Sequence, residues 1–129
     1  MTAGRLRRED DALLRGRGRF IDDAAEKNQA FGCFVRSPHA HARIAAIDAA
    51  PARAAPGVLA VLTAADLQAA GVGSVSSHPP IKGRSGAPVV EPPRPALAAD
   101  RVMHVGQPVA LVVANSAAAA QDAAEAIAV

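Results

Sequence analysis

Phe31-Gly32-Cys33-Phe34-Val35-Arg36-Ser37-Pro38-His39-Ala40-His41-Ala42-Arg43-Ile44 is the stretch whose reading decides the fold. Its first half alternates with the period of a β-strand, putting Phe31, Cys33 and Val35 on one side and Gly32 and Phe34 on the other. An apolar residue on each side predicts a strand covered on both faces, expected to begin near Asn28. Ser37-Pro38 ends it, because proline has no N–H for a central ladder. His41 to Asp48 alternates again, with Ile44 offset from Ile47 by a helix-like step, and its neighbours favour strand there. The same stretch gathers two of the four histidines, the only cysteine and two of the three phenylalanines.

Upstream, Met1 to Arg19 is rich in arginine and glycine. Arg5, Arg7, Arg8, Arg15, Arg17 and Arg19 are interleaved with Glu9, Asp10 and Asp11. Asp10 or Asp11 is suited to cap one turn of helix carrying Leu13 and Leu14, which Gly16-Arg17-Gly18-Arg19 then breaks. Asp22-Asp23 begins a polar turn. Downstream, Asp48 caps a short helix through Ala54, with Pro51 tolerated in its first turn. Gly57 to Thr63 is continuously apolar, as a fully buried strand would be. Thr63-Ala64-Ala65-Asp66 resembles a capping box with Asp in place of Glu, opening a helix to Ala70 that Gly71 stops.

Residues 71–95 carry no periodicity and include His78-Pro79-Pro80 and Pro92-Pro93-Arg94-Pro95. A loop of this length in a compact domain is functional, disordered or packed on a partner, and this one reads as an extended excursion rather than a domain linker. Arg101 to Val105 and Pro108 to Ala114 read as two strands of a hairpin turning at Gly106-Gln107. Ser116 caps a final helix with Ala117, Ala120, Ala124 and Ile127 on one face. Ala126-Ile127-Ala128-Val129 reads as that helix running into a further strand, so the polypeptide is expected to continue.

The 129 residues predict one domain, 1–129, with 1–19 as its Arg/Gly-rich leader and 71–95 as its long loop. Half the residues are apolar, but there is no Trp or Tyr and alanine dominates. At about 25 cal/mol per Å² the expected core is modest, built on Val, Ile and Leu, and leans on neighbours. A net charge of +2 gives no general nucleic-acid binder, and the Arg-rich front lacks interleaved aromatics for stacking. No apolar run reaches the ~20 residues of a membrane span. The basic N-terminus has no apolar core of a secretory signal. One cysteine excludes an internal disulfide framework and fits a reducing cytoplasm.

Each chemistry-bearing group has a plain reading beside the functional one. His39 and His41 share one side of an extended segment, near enough for a metal, but no third ligand is spaced nearby. Gly16-Arg17-Gly18-Arg19 has donors for an anion, yet lacks Gly-x-Gly-x-x-Gly spacing and a preceding strand. Asp22-Asp23 are adjacent acids that point different ways. Cys33 reads as a small core residue. Catalytic, cofactor-binding and metal residues are therefore expected to be absent. Arg17, Arg19, Arg36, His39, His41 and Arg43 are expected to be contact points for a partner.

In order along the chain, Arg17 to Asp23, Val35 to Ile44, Pro56 to Thr63 with Asp66, and Val105 to Ala114 followed by Asp122 to Glu125 resemble blocks of one family. That family is the molybdopterin-containing large subunits of xanthine dehydrogenase, aldehyde oxidase and aerobic carbon monoxide dehydrogenase. The sequence departs from it at Asp23 to Asn28, which lacks the Leu-Pro-Gly-like segment usual before the first strand. The resemblance implies an N-terminal α/β hammerhead domain, of α+β class, with a mixed sheet and a few packed helices. It also implies a holoenzyme that oxidises an aldehyde, a heterocycle or carbon monoxide. That holoenzyme would use a molybdopterin-type molybdenum cofactor, with 2Fe-2S clusters and FAD on partner domains or subunits. The family's pterin contacts, substrate pocket and base-acting Glu lie beyond Val129, so no catalytic residue carries over. The implied partners are the remainder of the large subunit, or a separately encoded catalytic subunit, and the iron–sulfur and FAD subunits. The alternative is a stand-alone, non-catalytic module that assembles with other subunits.

Overall fold

The computed structural model describes residues 7–75, 82–87 and 89–129. Arg5 and His78-Pro79-Pro80 lie outside them. The described chain runs α1 (Asp10–Leu14), a 3-10 turn (Ile21–Asp23), β1 (Phe31–Arg36), β2 (Ala42–Arg43), α2 (Ala50–Ala54), β3 (Val58–Thr63), α3 (Ala64–Ala69), a second 3-10 turn (Arg84–Gly86), β4 (Arg101–Val102), β5 (Pro108–Ala114) and α4 (Ala117–Glu125). It is α+β: a three-stranded sheet in the order β1-β5-β3, a two-stranded ribbon of β2 and β4, and helices packed on the larger sheet.

β5 is the central strand, antiparallel to both neighbours. Its Val112 lies between Cys33 and Val61, and its Ala110 between Val35 and Thr63. This face packs on α2 and α4 through Ala49, Ala52, Val61, Ala110, Val112, Ala123 and Ile127. A second cluster, Ala98, Val102 and Val109 with Val35, Ala42 and Ile44 against it, joins the ribbon to the sheet. The largest fully buried side chains are all valines, Val102, Val109 and Val112, and much of the remaining core is alanine. Small side chains let α4 sit close to the strands, which is how an aromatic-poor sequence reaches a packed interior.

Thr63 and Ser116 hold the N-cap positions the sequence predicts, whereas Ala49 rather than Asp48 holds that of α2. Thr63 donates from both its N–H and its Oγ1 to Asp66 Oδ2 at 2.7 Å, opening α3. Asp48 Oδ1 accepts the Ala50 N–H at 3.0 Å, with Pro51 in the first turn of α2. Ser116 Oγ accepts the Ala119 N–H at 3.2 Å. The long excursion is tied at its base, where the Val75 N–H donates to Arg94 O at 2.9 Å and the Arg94 N–H donates to Ser74 Oγ.

Several expectations are corrected. β1 starts at Phe31 rather than near Asn28, because Asn28 takes φ +64° in a turn where the Glu26 N–H donates to Gln29 Oε1. Glu9, not Asp10 or Asp11, holds the N-cap position of α1. β1 is covered on one face only, and Phe34 on the other remains 45% exposed. β3 is not fully buried: it is a sheet edge, and an irregularity between Val58 and Ala60 turns Leu59 out to solvent. Arg101–Val102 does not form a hairpin with β5; it pairs with β2, and the chain turns at Met103–Gln107 to change sheets. On the last helix the buried residues are Ala120 and Ala123, continued by Ile127, while Ala117 faces out in the first turn.

Candidate functional site

The turn after β1 is built by hydrogen bonds rather than by a ligand. Ser37 is buried, and its Oγ accepts the His39 N–H at 3.0 Å, a Ser/Thr turn that holds the chain around Pro38. The Ser37 N–H donates to Gln107 O at 3.0 Å, and the Gly106 N–H donates back to Ser37 O at 2.8 Å. Arg36 Nη1 donates to Gly106 O at 2.8 Å, and its guanidinium lies over the Phe34 ring, 5.3 Å from the centroid. Gln107 is also buried, and its Oε1 accepts the Met103 N–H at 2.6 Å. Gly106 has φ +82°, which a side chain would oppose. The Arg-Ser-Pro-His turn and the Gly-Gln-Pro turn, 70 residues apart, thus form one clasp.

The six expected contact residues divide. Arg36, His39, His41 and Arg43 follow one another through the clasp and into β2, and all four are exposed. Arg17 lies on the N-terminal segment, where its Nη2 meets Asp11 Oδ2 at 3.4 Å; Arg19 is exposed on the same segment. No hydrogen bond or ion pair joins these two to the clasp among the described residues. Gly18 packs on Leu13, whose Cδ2 would lie 2.6 Å from an added Cβ, so the Gly-rich segment is a packed turn. Asp23 Oδ2 accepts the Phe20 N–H at 2.9 Å and closes the 3-10 turn, while Asp22 stays exposed. Cys33 is half-buried, facing the helices opposite Val112. The sequence marks Ser37 and Gln107 only as turn residues; that they are buried and bonded to each other is set by a contact between residues 70 positions apart and has no local signal.

Among the described residues, no group of three or more His, Cys, Asp or Glu converges to hold a metal ion. The most apolar cleft, about 290 Å³ between Leu67, Val72, Pro93, Pro95 and Leu97, has no titratable side chain in its lining. Asp66 is the one described group displaced from its ordinary carboxyl value; the Thr63 hydroxyl, then the Thr63 N–H, hold it low. It is a helix cap. Nothing here pairs a nucleophile with a base.

The sheet leaves a second feature. Phe34, Leu111 and Leu62 align across the three strands on the face away from the helices, with Gly32, Val113 and Ala60 beside them. A Cβ on Gly32 would meet Leu111 Cδ1 at 3.3 Å, which fixes these residues to one face. That face is apolar and only partly covered.

Known proteins share this sequence and fold. The profile described as "Aldehyde oxidase and xanthine dehydrogenase, a/b hammerhead domain" matches residues 15–129. The chain is 44% identical over 117 residues to the nicotine 6-hydroxylase large subunit of Paenarthrobacter nicotinovorans, covering 91% of this chain and 14% of that protein. Quinoline 2-oxidoreductase from Pseudomonas putida 86 superposes with a TM-score of 0.81 at 41% identity, over 95% of this chain and 15% of that one. The Cu,Mo-CO dehydrogenase crystal structure gives 0.78 at 39%, over 99% and 15%. The chain therefore spans about one-seventh of the length of these relatives.

Proposed function

Since this chain belongs to the aldehyde oxidase and xanthine dehydrogenase a/b hammerhead family, we propose that it is the scaffold and subunit-interface domain of a molybdenum hydroxylase-type oxidoreductase. The holoenzyme would oxidise an aldehyde, a heterocycle or carbon monoxide in the cytoplasm. A molybdopterin-type cofactor would supply the oxidation chemistry, with 2Fe-2S and FAD groups on partner domains or subunits carrying electrons away. The side chains described here do not fit that cofactor. Among the described residues, no group of three or more His, Cys, Asp or Glu converges to hold a metal ion, and no buried side-chain N or O is left without a partner.

The observation that carries the reading is the half-open apolar face on β1-β5-β3. β5 reads Pro-Val-Ala-Leu-Val-Val-Ala, the pattern of a strand covered on both sides, yet only one side is covered by this chain's helices. A domain that exposes such a face is built to be packed against. The chain's contributions are position and surface: the clasp fixes the β1 turn, and Arg36, His39, His41 and Arg43 are presented beside it, with Arg17 and Arg19 on the leader. The test is a comparison of the 129-residue chain alone with the native assembly that contains it. The chain alone should not oxidise an aldehyde, nicotine or carbon monoxide with a dye acceptor, and the assembly should oxidise at least one. Turnover by the chain alone would overturn the scaffold reading.

A further inference from the structure

The β2–β4 ribbon consists of two residue pairs, Ala42 opposite Val102 and Arg43 opposite Arg101. Directly opposed residues share a face, so buried Val102 puts Ala42 inward and both arginines outward, where both are exposed. Like charges directly opposite one another disfavour pairing. Arg7, Arg15, Arg17 and Arg53 each have a carboxylate within 4 Å, whereas Arg8, Arg19, Arg36, Arg84 and Arg94 have none among the described residues. Among the described residues, Arg43 and Arg101 have none, and Asp100, adjacent to Arg101, makes no ion pair with either. His39, His41 and His104 are exposed on the segments flanking the two arginines.

We propose that this end of the ribbon docks a carboxylate-bearing segment of a partner protein, with one Asp or Glu side chain held between the Arg43 and Arg101 guanidinium groups. Two guanidinium groups carried by directly opposed residues on the exposed face of the ribbon can each donate to a carboxylate oxygen, and the incoming charge removes the repulsion that the free ribbon bears. The occupant is a protein acid rather than a nucleic acid. The cationic site is one residue pair wide, its flanks carry no aromatic ring for a base, and the whole chain has a net charge of only +2. The inference rests on the reading of the chain as an assembly domain. Absence of molybdenum from the native assembly would sink that reading and leave this test intact.

The probe is a fluorescein-labelled hexaglutamate peptide, titrated by anisotropy against the 129-residue chain at low salt, with a 20-base-pair duplex DNA in parallel. The peptide should bind, and binding should weaken with salt. Arg43→Gln and Arg101→Gln should each weaken it by about tenfold, whereas the double variant Arg15→Gln/Arg17→Gln should change it by less than about twofold. Arg101→Glu gives a readout that a structural role would not. It should abolish peptide binding and yet raise the unfolding midpoint of the free chain, because the like-charge pair becomes an opposite-charge pair. Equal weakening by the N-terminal double variant, tighter binding of the duplex than of the peptide, or a lowered midpoint in Arg101→Glu would each overturn the proposal.

Discussion

Gln107 shows how a binding-like residue can be spent on the fold. Its side chain is buried and bonded to the Met103 N–H, while its backbone holds the Ser37 turn. Gln107→Ala leaves that N–H without its acceptor, so urea unfolding should show a loss of about 1–3 kcal/mol. An unchanged midpoint would mean that the clasp is incidental. His39 and His41 lie on the solvent side of the same turn, outside any metal-ligating group among the described residues. Their spacing was legible in the sequence, but their orientation depends on Ser37 meeting Gly106 and Gln107, a contact between residues about 70 positions apart. No local pattern encodes it.

At the scale of elements, local chemistry was legible wherever the deciding partner is close in sequence. The Thr63–Asp66 cap and the Ser116 cap form where the residues predict, and Asp48, one residue before the Ala49 N-cap, still accepts the Ala50 N–H ahead of Pro51. What the residues did not reveal is set by distant partners: Arg101–Val102 joining β2 instead of β5, and β3 lying at an edge with Leu59 turned out. An apolar strand reads the same whether its second face is covered by its own chain or by another. The Asp66 cap carries a pH signature. Its carboxyl is held below 3.8 in the fold, chiefly by the Thr63 hydroxyl, so its contribution is complete above that value and fades as pH falls through the lower folded value. Asp66→Ala should lower stability at neutral pH by less than about 1 kcal/mol, since the group is exposed, and the gap to the parent should close in acid. Thermal unfolding at pH 7 and pH 3 checks this. The helix–sheet seam makes the opposite demand: Ala123 is buried in the same cluster as Ala110 and Val112. Ala123→Leu should cost about 1–3 kcal/mol by overpacking, measured by urea unfolding.

The whole molecule is a small valine–alanine core with one face of its main sheet partly bare, an Arg-rich N-terminal segment, and Arg36, Arg43 and Arg101 exposed at the clasp and the ribbon. Family and fold class were legible because the blocks from Arg17 to Glu125 occur in order, and the profile match over residues 15–129 bears this out. The chemistry of the longer relatives was not legible, because the chain spans about one-seventh of their length and, among the described residues, no group of three or more His, Cys, Asp or Glu converges to hold a metal ion. In the proposed scaffold role, the domain's value lies in what it packs against. Molybdenum content of the native assembly, measured by elemental mass spectrometry per copy of this chain, tests that most directly. The assembly should hold about one molybdenum per chain, and the chain expressed alone should retain none. A native assembly that contains the chain in full amount and no molybdenum would contradict it.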